Sequence, residues 1–149
     1  MLHFEGTKDF AQPPADVWTK LSDARFLVQC IPGVESVAQA EPDRAVCVLR
    51  PGFAFVRGTL ELTLRIADRV PAASTRVLVH SKGIGTTSAV EAILNVAARD
   101  TGSRVQWTAD IKELGGLLKA VPQGLIKASA QKVIADAWAA VEARLAQNK

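Results

Sequence analysis

Between Pro122 and Gln147 the apolar residues Ile126, Ala130, Val133, Ile134, Ala137, Trp138, Val141 and Leu145 recur at three- and four-residue steps. That spacing places them on one face of a helix, with Lys132, Asp136, Ala143 and Gln147 on the far side. No glycine or proline follows Gly124, and Pro122 suits a first helical turn, where its missing N–H costs nothing. The pattern predicts a rod of about 26 residues, roughly 39 Å long. A single apolar stripe of that length needs a broad partner surface.

Upstream the period is two. Leu2, Phe4 and Phe10 alternate with His3, Glu5 and Asp9, with Lys8 breaking the pattern, and predict a first strand over 2–10. Two short helices follow, over Ala15 to Leu21 and Ala24 to Cys30, the second capped by Ser22 or Asp23 and stopped by Ile31-Pro32-Gly33. Six strands come next: Glu35 to Gln39, Ala45 to Arg50, a strand through Leu60, Leu62, Leu64 and Ile66, then Thr75 to Lys82, Ser88 to Ala97 and Arg104 to Ile111. Turns are expected at Glu41-Pro42-Asp43, Pro51-Gly52, Val70 to Ala73, Gly83-Ile84-Gly85 and Asp100 to Ser103. Short turns between consecutive strands mean antiparallel meanders. The fold class is therefore α+β: a one-faced antiparallel sheet of about seven strands against a long C-terminal helix, in one domain spanning 1–149.

Composition narrows the function classes. A hydrophobic content of 48% argues against disorder, and no apolar run is long enough to cross a bilayer. The N-terminus lacks the basic and apolar regions of a signal peptide, so the cytoplasm is the expected compartment, with at most peripheral contact with the inner face of the membrane. The net charge of +3 is scattered and aromatic residues are 5%, without tyrosine, so no nucleic-acid partner is expected. Cys30 and Cys47 lack metal-type spacing and read as two free, half-buried thiols.

Several local sequences resemble the helix-grip superfamily of START-like lipid-transfer and polyketide-cyclase domains, and more specifically the G-subunit family of carbon monoxide dehydrogenase. The residues that carry the resemblance are Phe4-Glu5-Gly6, Pro13-Pro14-Ala15-Asp16-Val17-Trp18, Cys30-Ile31-Pro32-Gly33 with Val34-Glu35-Ser36, Lys82-Gly83-Ile84-Gly85, and Ala109-Asp110 with Gly115-Gly116. The Cys-Ile-Pro-Gly element is the most specific. The resemblance implies a curved sheet gripping the long helix, an apolar cavity between them, and a hydrophobic guest. It also implies association with molybdenum hydroxylases of the carbon monoxide dehydrogenase type, with roles in membrane recruitment and quinone handling. Some members carry a long C-terminal extension; this sequence stops at Lys149, so no anchor of its own is expected.

Candidate chemistry is sparse. His3 and His80 have no second ligand at metal spacing, so no metal and no cofactor are expected. No serine lies in a nucleophile elbow, and Lys82-Gly83-Ile84-Gly85 lacks the Gly-Lys-Ser/Thr ending of a phosphate loop. Asp110 faces away from the core by alternation and reads as a solvated carboxylate. No catalytic residue is therefore assigned. The expected ligand-binding set is Trp18, Leu62, Leu64, Leu94, Trp107, Ile126, Ile134 and Trp138 as apolar lining, Phe53, Phe55, Leu117, Leu118 and Val121 at the entrance, and His80 as the polar contact. For any one lining residue, packed core and cavity wall are both open readings.

Three functions compete. The first is non-catalytic binding of an apolar small molecule, a quinone or lipid, as an accessory protein to a molybdenum hydroxylase. The second is assembly or recruitment by protein contact alone. The third, a cyclase or hydrolase, is disfavoured because the inward strand positions supply almost no acid, base or nucleophile.

Overall fold

The structure is a computed structural model that describes residues 2–50, 58–83 and 85–147. Strand β1 (His3–Phe10) leads into helices α1 (Pro14–Leu21) and α2 (Ala24–Gln29). Strands β2 (Val34–Ala40), β3 (Arg44–Leu49), β4 (Leu60–Val70), β5 (Ser74–Gly83), β6 (Thr86–Arg99) and β7 (Gly102–Gly116) follow. A short 3-10 helix, Leu117–Ala120, then precedes helix α3 (Gln123–Gln147). The strands form one seven-stranded antiparallel sheet in the order β1-β7-β6-β5-β4-β3-β2. Thus β1 and β2, consecutive strands in sequence, lie at opposite edges of the sheet, and α1 and α2 carry the chain from one to the other across one end.

Local chemistry explains that crossing. Pro14 opens α1, with Asp16 in its first turn and Lys20 in its last, both favourable to the helix dipole. Of the two expected caps for α2, Asp23 performs the role: its side chain accepts from the Arg25 backbone N–H at 2.9 Å. Gly33 ends the Cys30-Ile31-Pro32-Gly33 element in a left-handed conformation, φ +79°. A Cβ there would stand 2.5 Å from the Arg50 carbonyl oxygen. The most family-specific motif is therefore a structural junction, in which only glycine fits between α2 and the start of β2.

The elements match the sequence pattern, with longer strands. β4 runs to Val70 and β7 begins at Gly102, both inside segments expected to be turns, and β7 continues past its expected end at Ile111 to Gly116. Backbone ladders continue past the point where side-chain alternation fades, because pairing needs only N–H and C=O groups. Helix α3 starts at Gln123, and the Pro122 carbonyl accepts the Leu125 and Ile126 N–H groups at 3.0 and 3.1 Å. Phe53, Phe55 and the Pro51-Gly52 turn lie outside the described residues, as does Ile84.

The sheet buries one face. Across β3 to β7 the inward rows run Ala45, Leu64, Val79, Val90, Ile111 and Cys47, Leu62, Ser81, Ser88, Leu114. Two apolar clusters fill this side. One lies at the end closed by α1 and α2 and includes Val17, Leu21, Val28, Leu64, Leu94, Val105, Val141 and Leu145. The other joins Phe4, Ala109, Ile111 and Ile126 near the start of α3. Among the strands, β1 comes closest to the α3 backbone. Side chains bridge the rest: Trp138 on α3 lies 6.1 Å, ring centroid to centroid, from both Phe10 and Trp107. Lys8, the misfit in the β1 pattern, has inward parity and reaches Glu142 of α3 at 3.3 Å, so its charge ends in an ion pair.

Candidate functional site

The site is the interval between the concave sheet face and α3. Near the closed end that interval is filled: Leu64 is 3% exposed and Leu94 6%. Toward the start of α3 several apolar side chains are only half-buried. Val90, Leu114, Leu118, Val121 and Ile134 retain accessible surface beside the buried Phe4, Ala109, Ile111 and Ile126. A well-packed core leaves no such surface. The result is a groove of about 390 Å³ lined by Leu2, Ile111, Leu114, Leu118, Val121 and Ile126, with Lys112, Glu113, Lys119 and Gln123 exposed at its rim.

Glycines shape this region. Gly6 faces Trp107 across the β1–β7 pairing, and a Cβ at Gly6 would lie 2.9 Å from the indole ring. At the mouth, Gly85 and Gly116 both adopt left-handed backbone, at φ +71° and +63°, and the Leu117 N–H donates to the Gly85 carbonyl at 2.9 Å. This pins the 3-10 helix beside the groove and leaves Leu117 64% exposed.

The expected lining residues are distributed between the groove, the bridge and the core. Leu118, Val121 and Ile126 line the groove, Ile134 packs against the apolar cluster at that end, and Leu62 packs against the cluster at the closed end. Trp107 and Trp138 form the bridge between sheet and helix. Leu64 and Leu94 belong to the packed core. Trp18 is half-buried against that same core, and its indole N–H donates to the Ser74 carbonyl at 2.8 Å, pinning α1 to β5. Leu117 stands outside the groove, and Phe53 and Phe55 lie outside the described residues.

His80 is not brought to the concave face. It pairs with Thr63 and Ala89, one residue out of step with the inward row Leu64–Val79–Val90, and is exposed on the convex side. The period of two reverses the side at every residue, so the inward neighbours of His80 are Val79 and Ser81. Ser81 and Ser88, absent from the expected set, place two hydroxyls on the concave face, hydrogen-bonded to each other at 2.5 Å. The signal is present in the alternation, since Ser88 stands two residues before the inward Val90.

The groups whose pKa is shifted lie outside the groove lining. Asp110 and His3 pair on the convex face, where His3 contacts Asp110 at 2.5 Å and Glu5 at 3.1 Å. These hydrogen bonds, that to Asp110 first, raise the His3 pKa above its ordinary value. Cys30 is buried at the end of α2, and burial pushes its thiol up to about 11. Cys47, on the concave side of β3, is shifted up for the same reason. Neither is a thiolate nucleophile at neutral pH. Among the described strand positions of the concave face no carboxylate or imidazole occurs. Among the described residues no group of three His, Cys, Asp or Glu is arranged to hold a metal ion.

Comparison with known proteins places this architecture. The profile of CoxG, the G-subunit family of carbon monoxide dehydrogenase, matches residues 6–146. A search of curated proteins finds no match. Among solved structures, the chain is similar to a conserved protein from Geobacillus kaustophilus, with a TM-score of 0.85, 24% identity, and 98% of this chain and 96% of that chain covered. It is also similar to a START superfamily protein from Mycobacterium smegmatis, with a TM-score of 0.70, 12% identity, and 99% of each chain covered. These likenesses establish the START-like helix-grip fold.

Proposed function

The chain belongs to the CoxG family of carbon monoxide dehydrogenase, and from that premise we propose that it binds an apolar small molecule between its sheet and α3 without transforming it. The guest is quinone- or lipid-like, and the protein acts as an accessory to a molybdenum hydroxylase of the carbon monoxide dehydrogenase type. One observation carries the reading. The groove combines an apolar floor of Leu2, Ile111, Leu114, Leu118, Val121 and Ile126 with charged groups, Lys112, Glu113 and Lys119, that stand exposed at its rim. Such a surface gives favourable transfer free energy to an apolar guest, about 25 cal/mol per Å² removed from water. Its floor supplies nothing for proton transfer to or from that guest.

The protein acts in the cytoplasm, with at most peripheral membrane contact, and takes no nucleic-acid partner. Among the described residues no helix is long and apolar enough to cross a membrane. A second reading, recruitment by protein contact alone, is favoured by Leu117 in the 3-10 helix and Leu125 in the first turn of α3, exposed at 64% and 46%. Native mass spectrometry of the gently purified protein, followed by solvent extraction, separates the two. A bound apolar species in the intact ion, recovered in the extract, supports the first reading. A protein that is empty and takes up no quinone or lipid when exposed to them moves the second reading to first place.

A further inference from the structure

In the row Leu62–Ser81–Ser88–Leu114, two hydroxyls stand between apolar residues, next to Leu114 of the groove lining. Ser81 bonds to Ser88 across β5 and β6, and the row joins Leu62 of one apolar cluster to Leu114 of the other. The other hydroxyls on this face are differently placed. Thr86 donates to the Gly83 carbonyl at 2.7 Å, Thr75 to the Ala67 carbonyl at 3.4 Å, and Ser103 is 1% exposed at the closed end.

Proton counting gives the pair its character. Each serine brings one donor and two lone pairs. The mutual bond uses one of the two protons. The second proton is left for another acceptor on the half-buried side of the sheet. It is polarised by the bond its oxygen already takes part in, and its apolar surroundings strengthen any bond it makes. Leu62, Val79, Val90 and Leu114 flank it and supply no acceptor.

We propose that Ser81 and Ser88 read a carbonyl oxygen on the apolar guest, donating one hydrogen bond that fixes which end of the molecule enters. The inference rests on the apolar-binding reading above and adds the chemical class: an apolar molecule with a carbonyl at one end, whether a quinone ring or an acyl ester. Replacing both serines with alanine removes donor and acceptor together and leaves no orphaned polar group, so the fold should survive.

The experiment is calorimetric titration of the wild-type protein and the Ser81→Ala/Ser88→Ala variant with decylbenzoquinone, methyl decanoate and decylbenzene. The expected result is a loss of about tenfold in affinity for a carbonyl probe, with decylbenzene unchanged. Loss confined to decylbenzoquinone identifies the ring carbonyl as the group recognised, and loss confined to methyl decanoate identifies the ester. Equal affinities in both proteins for all three probes overturn the serine assignment and leave apolar binding standing. Equal weakening for all three also overturns it, because the pair would then shape the wall and not read the carbonyl. No binding of any probe to the wild-type protein removes both this inference and the function it rests on.

Discussion

The indole rings of Trp107 on β7 and Trp138 on α3 lie 6.1 Å apart at a tilt of 36°. This pair bridges sheet and helix beside the groove, with Phe10 completing the contact at 6.1 Å from Trp138. Tilted aromatic pairs contribute about 0.5–1.5 kcal/mol beyond their buried area. Truncating Trp138 removes both neighbours' contacts. Trp138→Ala should therefore cost about 3 kcal/mol in urea unfolding. A loss under about 1 kcal/mol would show that the bridge does not hold the helix.

Gly6 and Trp107 form a second coupled pair. A methyl at Gly6 would press on the ring from 2.9 Å, an overpacking that costs about 1–3 kcal/mol. Gly6→Ala should be destabilising in the wild-type background and nearly neutral beside Trp107→Leu, where the ring is gone. Additive effects in the double-mutant cycle would refute the contact.

Much of this architecture is legible in the chain. Eight recurrent apolar positions announce α3, and Leu60 to Ile66 announce β4. What alternation does not fix is how far α3 stands from the sheet. That separation decides whether Ile126 and Leu94, both expected as lining, become groove lining and packed core respectively. The expectation for His80 fails because its neighbours Leu78 and Lys82 give no parity; counting from Val77 turns attention to Ser81 instead. The glycine at position 33 is visible as a turn, but the carbonyl of Arg50 that requires it is not.

Cys30 predicts a specific alkaline behaviour. Its thiol titrates at about 11 when folded against an ordinary value of 9.0. Between those values the unfolded chain loses a proton that the folded protein keeps, so this group's contribution to stability falls as pH rises. The stability of the wild-type protein relative to Cys30→Ala should decline from pH 9.0 to about 11. Alkylation by iodoacetamide at neutral pH should require unfolding. Rapid labelling of the native thiol would contradict the burial.

His3 predicts a second pH window, nearer neutrality. Its charged form is favoured by Asp110 and then Glu5, which raise its pKa above 6.5. The stabilisation is complete below 6.5 and is lost as pH rises through the folded value. The advantage of the wild-type protein over His3→Gln should shrink across that interval, with imidazole proton resonances titrating above 6.5. A pH-independent difference between the two proteins would mean that the β1–β7 edge does not depend on this pair.

The central claim is that the space between sheet and α3 takes an apolar guest, and a thermal melt with and without decylbenzoquinone tests it most directly. A guest that binds only the folded state, at about a hundred times its dissociation constant, adds roughly 2.7 kcal/mol. For a domain of this size that raises the melting midpoint by about 2–6 °C. The account predicts such a shift with decylbenzoquinone or methyl decanoate, none with a polar metabolite of similar size, and none in a folded Leu114→Trp variant whose ring fills the groove. No shift with any apolar probe, or an equal shift in Leu114→Trp, would contradict it.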